Sequence, residues 1–413
     1  MKLRIKSIRI TAMEKKSIRK NIYPERSGSA LLTTRRRVFV GMSGGVDSSV
    51  TAALLKEQGF NVTGVHIKMW SDPEIPCNFK KDREDAIRVA AHLEIPFETW
   101  DFTKEYREEV VEYLIREYAA GRTPNPDVMC NRHIKFGAFL ARALERGADA
   151  VATGHYVRRE PEFSSINSQF SDNTGRIENF EIENSLKIEN CKLKIAKDLN
   201  KDQSYFLWTL TQEQLKHCVF PIGEYTKPEV RALARKFGLP TAEKEESQGI
   251  CFIGEIDLNQ FLKKYIPVSR GRVRTVSGKD IGEHEGLQFY TIGQREGLGI
   301  GGGIPYYVAS KDFLTNTLVV AEGPYDEGLF KSEIAVSDIH WISGRAPELT
   351  FQCKARIRYR QSLQSCWIEK SEIRNPKSEI INVRFTTPQR AVTPGQSIVF
   401  YAGEEMIGGG IIS

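Results

Sequence analysis

The sequence has no run of the ~18 consecutive apolar residues that a membrane-crossing helix requires, so a helical channel or transporter is excluded. It is poor in cysteine, with seven residues and no CxxC pair, which argues against a zinc ribbon and against a secreted disulfide scaffold. Scattered thiols suit a reducing compartment, and the expected location is cytoplasmic. The Gly-Lys-Ser/Thr ending of a Walker A loop is also missing, so the chain is not an ordinary P-loop NTPase. Hydrophobic residues at 40% and charged residues at 27% are the proportions of a globular protein. The 413 residues suffice for two or three domains of ~100–200 each.

A basic folded body is lacking too, despite the net charge of +6. Residues 1–37 hold twelve Lys and Arg against Glu14 and Glu25, which leaves 47 cations and 51 anions elsewhere, a net of −4. Nucleic-acid binding by the body therefore has to rest on local patches. The basic extension ends in Arg35-Arg36-Arg37 and has no apolar core of about 7–15 residues, so it is not a secretory signal. Its composition suits a mitochondrial presequence; a disordered extension or a start assigned too far upstream are the plainer readings.

What is present begins at Val38. Short apolar strands at Val38–Val40, Val62–Trp70, Phe97–Phe102 and Ala150–Thr153 alternate with helical stretches at Asp47–Gln58, Lys80–Leu93, Lys104–Ala120 and Asn131–Arg146. This rhythm predicts an α/β doubly wound, mostly parallel sheet, placed here at residues 38–225. Residues 160–196 interrupt it: Ile-Glu-Asn recurs at 177–179, 182–184 and 188–190, the mark of a low-complexity insertion. Ser371–Ile380 is a shorter relative, with Ser-Glu-Ile twice around Asn375-Pro376. Residues 226–248 have a helical pattern, with the helix at Val230–Phe237 stopped by Gly238 and Pro240, and 226–287 is assigned to a small central domain. From about Gly271 the chain is rich in glycine and β-branched residues, the signature of a small β-barrel, assigned to 288–413.

The sharpest motif is Gly41-Met42-Ser43-Gly44-Gly45-Val46-Asp47-Ser48-Ser49, between the first strand and the first helix. Glycines admit close backbone approach, and hydroxyls with free N–H groups at a helix start form an anion cradle. SGGxDS in this setting resembles the PP-loop of the ATP pyrophosphatase superfamily, whose members cleave ATP to AMP and pyrophosphate while adenylating a substrate. Gly297-Leu-Gly-Ile-Gly-Gly302 fits GxGxxG in letters only, because Ile304-Pro305 follows where a helix should begin; it reads as a loop.

Two prolines stiffen Gly121-Arg-Thr-Pro-Asn-Pro-Asp-Val-Met-Cys-Asn131 and present Asn125, Pro126 and Asp127 just before Cys130. A helix start stabilises thiolate, so Cys130 reads as reactive. Cys251, in Ser247-Gln-Gly-Ile-Cys-Phe-Ile-Gly254, is either a second reactive thiol or core packing, since Ile250, Phe252 and Ile253 surround it. Thr153-Gly154-His155-Tyr156 lies at the end of a parallel strand, where such sheets bind ligands. His155 there is either a phosphate contact or a core hydrogen-bond partner. On Lys354-Ala-Arg-Ile-Arg-Tyr-Arg360, strand alternation would align Lys354, Arg356, Arg358 and Arg360 for an RNA backbone, or as a solvated barrel face.

Taken together, SGGVDS, GRTPNPDVMCN, ATGHY, Lys201-Asp202-Gln203-Ser-Tyr-Phe-Leu207, GICFIG and Thr393-Pro-Gly-Gln396 resemble the tRNA-specific 2-thiouridylases, from about Val38 to Ser413 outside the insertions. The resemblance implies an N-terminal PP-loop domain, a small central domain and a C-terminal β-barrel. It implies an ATP site of Gly41–Ser48, Ile67 (where many members carry Met) and Gly154. It implies a target-uridine loop of Asn125, Pro126 and Asp127, with Cys130 as nucleophile and Cys251 as persulfide carrier, joined in a transient disulfide. Its tRNA contacts would be His155, Lys201, Asp202, Gln203, Arg358, Tyr359 and Gln396. The partners implied are a tRNA with a wobble uridine and a persulfide-carrying sulfur donor protein; no membrane is involved.

The chemistry is coherent in its own terms. A uracil C2 carbonyl is a poor electrophile, and adenylation of O2 supplies the leaving group. Asp47 is the expected Mg2+ contact, and Asp127 the residue that positions the base or moves a proton near Cys130. An amide-forming ligase would share the loop but make no use of a second cysteine or an RNA surface. A non-catalytic RNA-binding module would not need Ser43, Asp47, Cys130 and Cys251 together.

Overall fold

The computed structural model describes residues 36–72, 74, 79–163, 188–245, 258–301, 303–371 and 379–413. The basic extension up to residue 35, Cys77, the Ile-Glu-Asn repeats through residue 187, most of the Ser371–Ile380 repeat and the whole Cys251 motif lie outside the described residues.

Strands β1 (Arg37–Gly41), β2 (Asn61–Lys68), β3 (Phe97–Asp101) and β4 (Ala150–Ala152) alternate with helices as the periodicity predicts. Val38, Val40, Ala150, Val151 and Ala152 are fully buried, which is why these strands read as continuous apolar runs: a parallel sheet is covered on both faces. A hairpin, β5 (Arg158–Phe163) and β6 (Ile188–Lys194), then leaves the unit before β7 (Cys218–Val219) returns to the sheet edge. The order is β3-β2-β1-β4-β7, every pair parallel.

The hairpin revises the reading of 160–196 as insertion throughout. Residues 158–163 and 188–194 are paired strands, and Glu405↔Lys194 and Met406↔Leu193 join them to the last strand of the barrel. Their polar composition hid them. Lys194–Glu160 at 2.6 Å and Lys192–Glu162 at 2.8 Å fill the solvent face with charge, while Cys191 and Leu193 are buried.

The β-rich half divides in two. β8 (Gly271–Thr275), β9 (Asp280–His284), β10 (Tyr306–Asp312) and β11 (Thr317–Glu322) form one sheet, ordered β10-β11-β8-β9. Because β11 pairs with β8, strands on either side of the expected boundary at 287 share a sheet. β12 (Phe330–Trp341), β13 (Phe351–Arg356), β14 (Gln364–Lys370), β15 (Ile381–Arg390), β16 (Ser397–Ala402) and β17 (Glu405–Ile412) form the barrel, which the β12–β17 pairing closes. Among the described residues no helix is long and apolar enough to cross a membrane.

A buried ion pair fastens the barrel to the PP-loop unit. Asp202 Oδ2 lies 3.0 Å from Arg356 Nη2, with side chains only 1% and 6% exposed. Asp202 also accepts from the backbone N–H of Ala196 at 3.0 Å and from the Ser204 hydroxyl at 2.9 Å. Removing one partner strands the other charge in the interior. Asp202→Ala is therefore expected to destabilise the protein by about 3–5 kcal/mol, measured by denaturant unfolding, with the double variant Asp202→Ala/Arg356→Met recovering part of the loss.

Candidate active site

Gly41 ends β1, and the chain turns through Met42–Gly45 into the helix Val46–Glu57. Gly44 holds φ +78°, and a Cβ there would meet the Asp82 carbonyl oxygen at 2.2 Å, so only glycine fits. No side chain caps the helix, which leaves first-turn N–H groups available to an anion. The Ser43 and Ser48 hydroxyls face each other at 3.2 Å, Ser43 N donates to Ser48 Oγ at 3.2 Å, and Gly45 N donates to Ser43 Oγ at 3.3 Å. The loop is held open by its own side chains.

Asp47 looks outward from the first turn. It accepts from Lys227 Nζ at 2.7 and 2.9 Å and from the Tyr156 hydroxyl at 2.8 Å. Lys244 donates to the Gly44 carbonyl at 3.2 Å, to Asp82 at 2.8 Å and to Asp85 at 2.7 Å. Burial disfavours its charge, but the two carboxylates outweigh that and raise its pKa. Lys227 and Lys244 were not among the residues singled out from sequence. They come from the segment that carries no motif letters, so only the fold brings them to the cradle.

β4 delivers Thr153–Tyr156 to the same carboxyl edge. A Cβ on Gly154 would sit 2.7 Å from Ser48 N and 2.8 Å from the Asp47 carbonyl carbon, so the glycine lets this strand end lie directly against the cradle helix. His155 is buried; desolvation, helped by the charge of Lys135, holds its pKa well below the usual histidine value, so it is neutral. Its Nδ1 lies 2.7 Å from the Thr153 hydroxyl, and its ring packs between Phe136 and Phe220. Ile67 is half-buried near the end of β2. Gln203 is tied to Tyr156 by both its backbone N–H, at 2.8 Å, and its Oε1, at 2.9 Å.

The Pro-rich motif differs from expectation at one point. A continuous helix spans 126–145, beginning five residues before the predicted start. Asn125 is its N-cap, accepting from Asp127 N at 3.2 Å and Val128 N at 3.3 Å, and Pro126 occupies the first turn, where its missing N–H costs nothing. Cys130 thus lies one turn inside the helix, 4% exposed, where the bonding changes to π-helical over Cys130–Ala138. Asp127 is reached by solvent yet walled by protein; desolvation raises its pKa, with Lys135 opposing.

The proposed RNA-contact residues do not form a single face. β13 ends at Arg356 and the backbone turns, with Arg360 at φ +63°. Lys354 and Arg360 are exposed, Arg356 is buried on Asp202, and Arg358 donates to the Ala391 carbonyl at 2.6 Å. The alternation that would align four cations needs a strand that continues, and this one stops, so the expected basic face is absent. Asp202 is likewise engaged in the interior. Tyr359 packs on Phe206 at 4.7 Å, Lys201 is half-buried, and Gln396 donates to the carbonyls of Thr123 and Pro124 at 2.8 and 3.1 Å. Cys191 and Cys218 are buried with pKa values raised by desolvation; Cys353 and Cys366 face each other across β13 and β14 at 3.6 Å.

Three family models cover the chain: a tRNA methyl transferase HUP domain over residues 36–255, a tRNA methyl transferase PRC-barrel domain over 259–322 and an aminomethyltransferase beta-barrel domain over 331–412. The tRNA-specific 2-thiouridylase MnmA of Streptococcus thermophilus (strain CNRZ 1066) is 46% identical over 386 residues, 92% of this chain and 95% of the relative. Its counterpart from Streptococcus pyogenes serotype M49 (strain NZ131) is 46% identical over 385 residues, 91% of this chain and 95% of the relative. Among solved structures, the U34-tRNA thiolase NcsA from Methanococcus maripaludis matches at 18% identity and a TM-score of 0.33, over 61% of this chain and 73% of that one.

The close approach at Gly154 makes a direct test. Gly154→Ala drives a methyl group into the backbone of Asp47 and Ser48, and should cost about 1–3 kcal/mol of stability by overpacking, read as a lowered melting temperature.

Proposed function

The chain belongs to the tRNA-specific 2-thiouridylase family and is a tRNA-uridine 2-sulfurtransferase that uses ATP, and from that premise we propose a mechanism for its own residues. The wobble uridine O2 attacks the α-phosphorus of ATP, pyrophosphate leaves into the Gly41–Ser48 cradle, and the resulting adenylate makes C2 electrophilic. The observation that carries this reading is the Thr153–Tyr156 turn, which Gly154 sets against one helix start and on which the second helix packs through Phe136 against His155. One helix start is lined by Ser43, Ser48 and Asp47, the other by Asn125, Asp127 and Cys130.

In this reading the first-turn N–H groups and the Ser43 and Ser48 hydroxyls bind phosphate oxygens, and Ile67 and Gly154 line the nucleotide site. Mg2+, when bound, neutralises phosphate charge. A lone carboxylate is the donor set that ion uses when phosphates supply the rest, and Asp47 would hold it once the Lys227 ammonium turns to the phosphates. Asn125, Pro126 and Asp127 receive the flipped uracil. Asp127, with its raised pKa, can hold or release a proton there. Neutral His155 and Lys201, Gln203, Arg358 and Tyr359 contact the tRNA; Asp202 and Gln396 act indirectly, by holding the loops that do.

Sulfur arrives on Cys251 as a persulfide delivered by a donor protein. Its terminal sulfur attacks C2, AMP departs, and C2 is left joined to Cys251 through a disulfide. The Cys130 thiolate then attacks the Cys251 sulfur. The electron pair of that S–S bond stays with the uridine sulfur, freeing 2-thiouridine and forming a Cys130–Cys251 disulfide that a dithiol reductant of the cytoplasm reopens.

Two outcomes follow. Asp47→Asn leaves the Ser43, Ser48 and Gly45 hydrogen bonds of the loop in place but should lose most tRNA-dependent release of AMP and pyrophosphate, measured by nucleotide chromatography; ADP and phosphate as products would refute the adenylation. Cys130→Ser and Cys251→Ser should each abolish 2-thiouridine in nucleoside mass analysis while adenylation continues. Thiolation that persists in Cys251→Ser with a persulfide donor would replace the carrier by direct sulfide attack.

A further inference from the structure

The lysines at the cradle are matched by acids: Lys227 by Asp47, Lys244 by Asp82 and Asp85. Lys135 is different. It is half-buried, yet it makes no hydrogen bond or ion pair among the described residues. Its charge acts on both Asp127 and His155, so it lies within electrostatic reach of the helix start and of the β4 turn.

Its place on the helix is set by the π-helical stretch Cys130–Ala138. In an α-helix of 3.6 residues per turn the fifth residue on is rotated by about 140° from the first. Bonding from i to i+5 brings that fifth residue onto the same side of the helix as the first, and such stretches recur at functional sites. Lys135 is five residues after Cys130. Beside them Asn131 is 2% exposed, donates from Nδ2 to the Phe206 carbonyl at 3.1 Å, and leaves its buried Oδ1 without a partner. Adjacent to Cys130 in the chain and one π-turn beyond it, this helix therefore carries a buried acceptor and a half-buried cation without a partner among the described residues.

We propose that Lys135 is the positioning residue that stabilises Cys130 as a thiolate, its ammonium turned toward the sulfur by the π-helical register. The proposal rests on the reading of Cys130 as the nucleophile. The other described charged groups of this helix and of the one facing it are placed differently. Asp127, on the same helix, opposes a thiolate. Arg132 is exposed, and His133 pairs with Glu109 of the facing helix at 3.3 Å. Lys104 and Glu105 at the start of that facing helix are exposed, and His155 is neutral.

The test is alkylation of Cys130 by iodoacetamide in the full chain without ATP or tRNA, followed peptide by peptide in the mass spectrometer from mildly acid to strongly alkaline pH. Lys135→Gln should slow labelling at neutral pH by about tenfold, the effect of one pKa unit, and the rates should converge at alkaline pH where the thiol ionises regardless. Lys135→Arg should restore the native profile. Lys135→Met, which keeps the apolar stem, should behave like Lys135→Gln if charge is what matters. Equal slowing at every pH would reduce Lys135 to a packing role and overturn the proposal. So would unchanged labelling with weakened tRNA binding, the behaviour of a phosphate contact. Because labelling needs no turnover, it is independent of whether Cys130→Ser abolishes thiolation, so the proposal and the nucleophile reading fail separately.

Discussion

The candidate site depends on how five residues, Gly121 to Asn125, are held. Glu117 grips Arg122 through two hydrogen bonds of 2.6 and 2.8 Å, which ties the loop to the helix before it. The barrel accepts Thr123 N on the Pro394 carbonyl at 2.8 Å and returns two bonds from Gln396. The central sheet adds Thr291, 3.2 Å from the Thr123 hydroxyl, and Lys311, which donates to the Gly121 carbonyl at 2.9 Å. Desolvation lowers the Lys311 pKa to about 8. All three structural units therefore converge on one backbone segment, and the helix start that presents Asn125, Asp127 and Cys130 is oriented by all of them.

That constraint explains why the two halves of the chemistry can share an edge. Parallel strands deliver their following loops to the same side, which brings the β1 cradle and the β4 turn together; the contact at Gly154 fixes their spacing. The Pro-rich helix reaches that edge by a different route. Its Asn131 side chain bonds to the Phe206 carbonyl, and Phe206 packs on Tyr359, so barrel, linker and helix form one wall.

Electrostatics then sorts the side chains. Around the Gly41–Ser48 loop, cations and carboxylates are paired, so a polyanionic nucleotide bound there as proposed would meet ammonium groups already in position. At the thiol end the balance is different. A histidine is kept neutral by burial, a carboxyl has its pKa raised, and one lysine has no partner among the described residues. Low charge at the thiol end and dense paired charge at the Gly41–Ser48 loop is a division that the proposed adenylation and sulfur attack could use.

Much of this protein was legible in its residues in order. The alternating apolar runs specify a parallel α/β sheet because each buried strand must be apolar on both faces, and the first glycine of SGGVDS specifies the tight turn from β1 into its helix, because only glycine fits at Gly44. Local rules went wrong where a residue's environment is supplied from far along the chain. Arg356 looked like one of four aligned surface cations, but Asp202, 154 positions earlier, draws it into the interior. The polar strands at 158–163 and 188–194 looked like insertion because their partners are each other and β17. Lys227, Lys244 and Lys135 carried no signal at all, since a lysine's role depends on which acids and sulfurs the fold sets beside it. Backbone conformation and apolar periodicity are written within a few residues; charge pairing acts through space, and only the tertiary structure decides it.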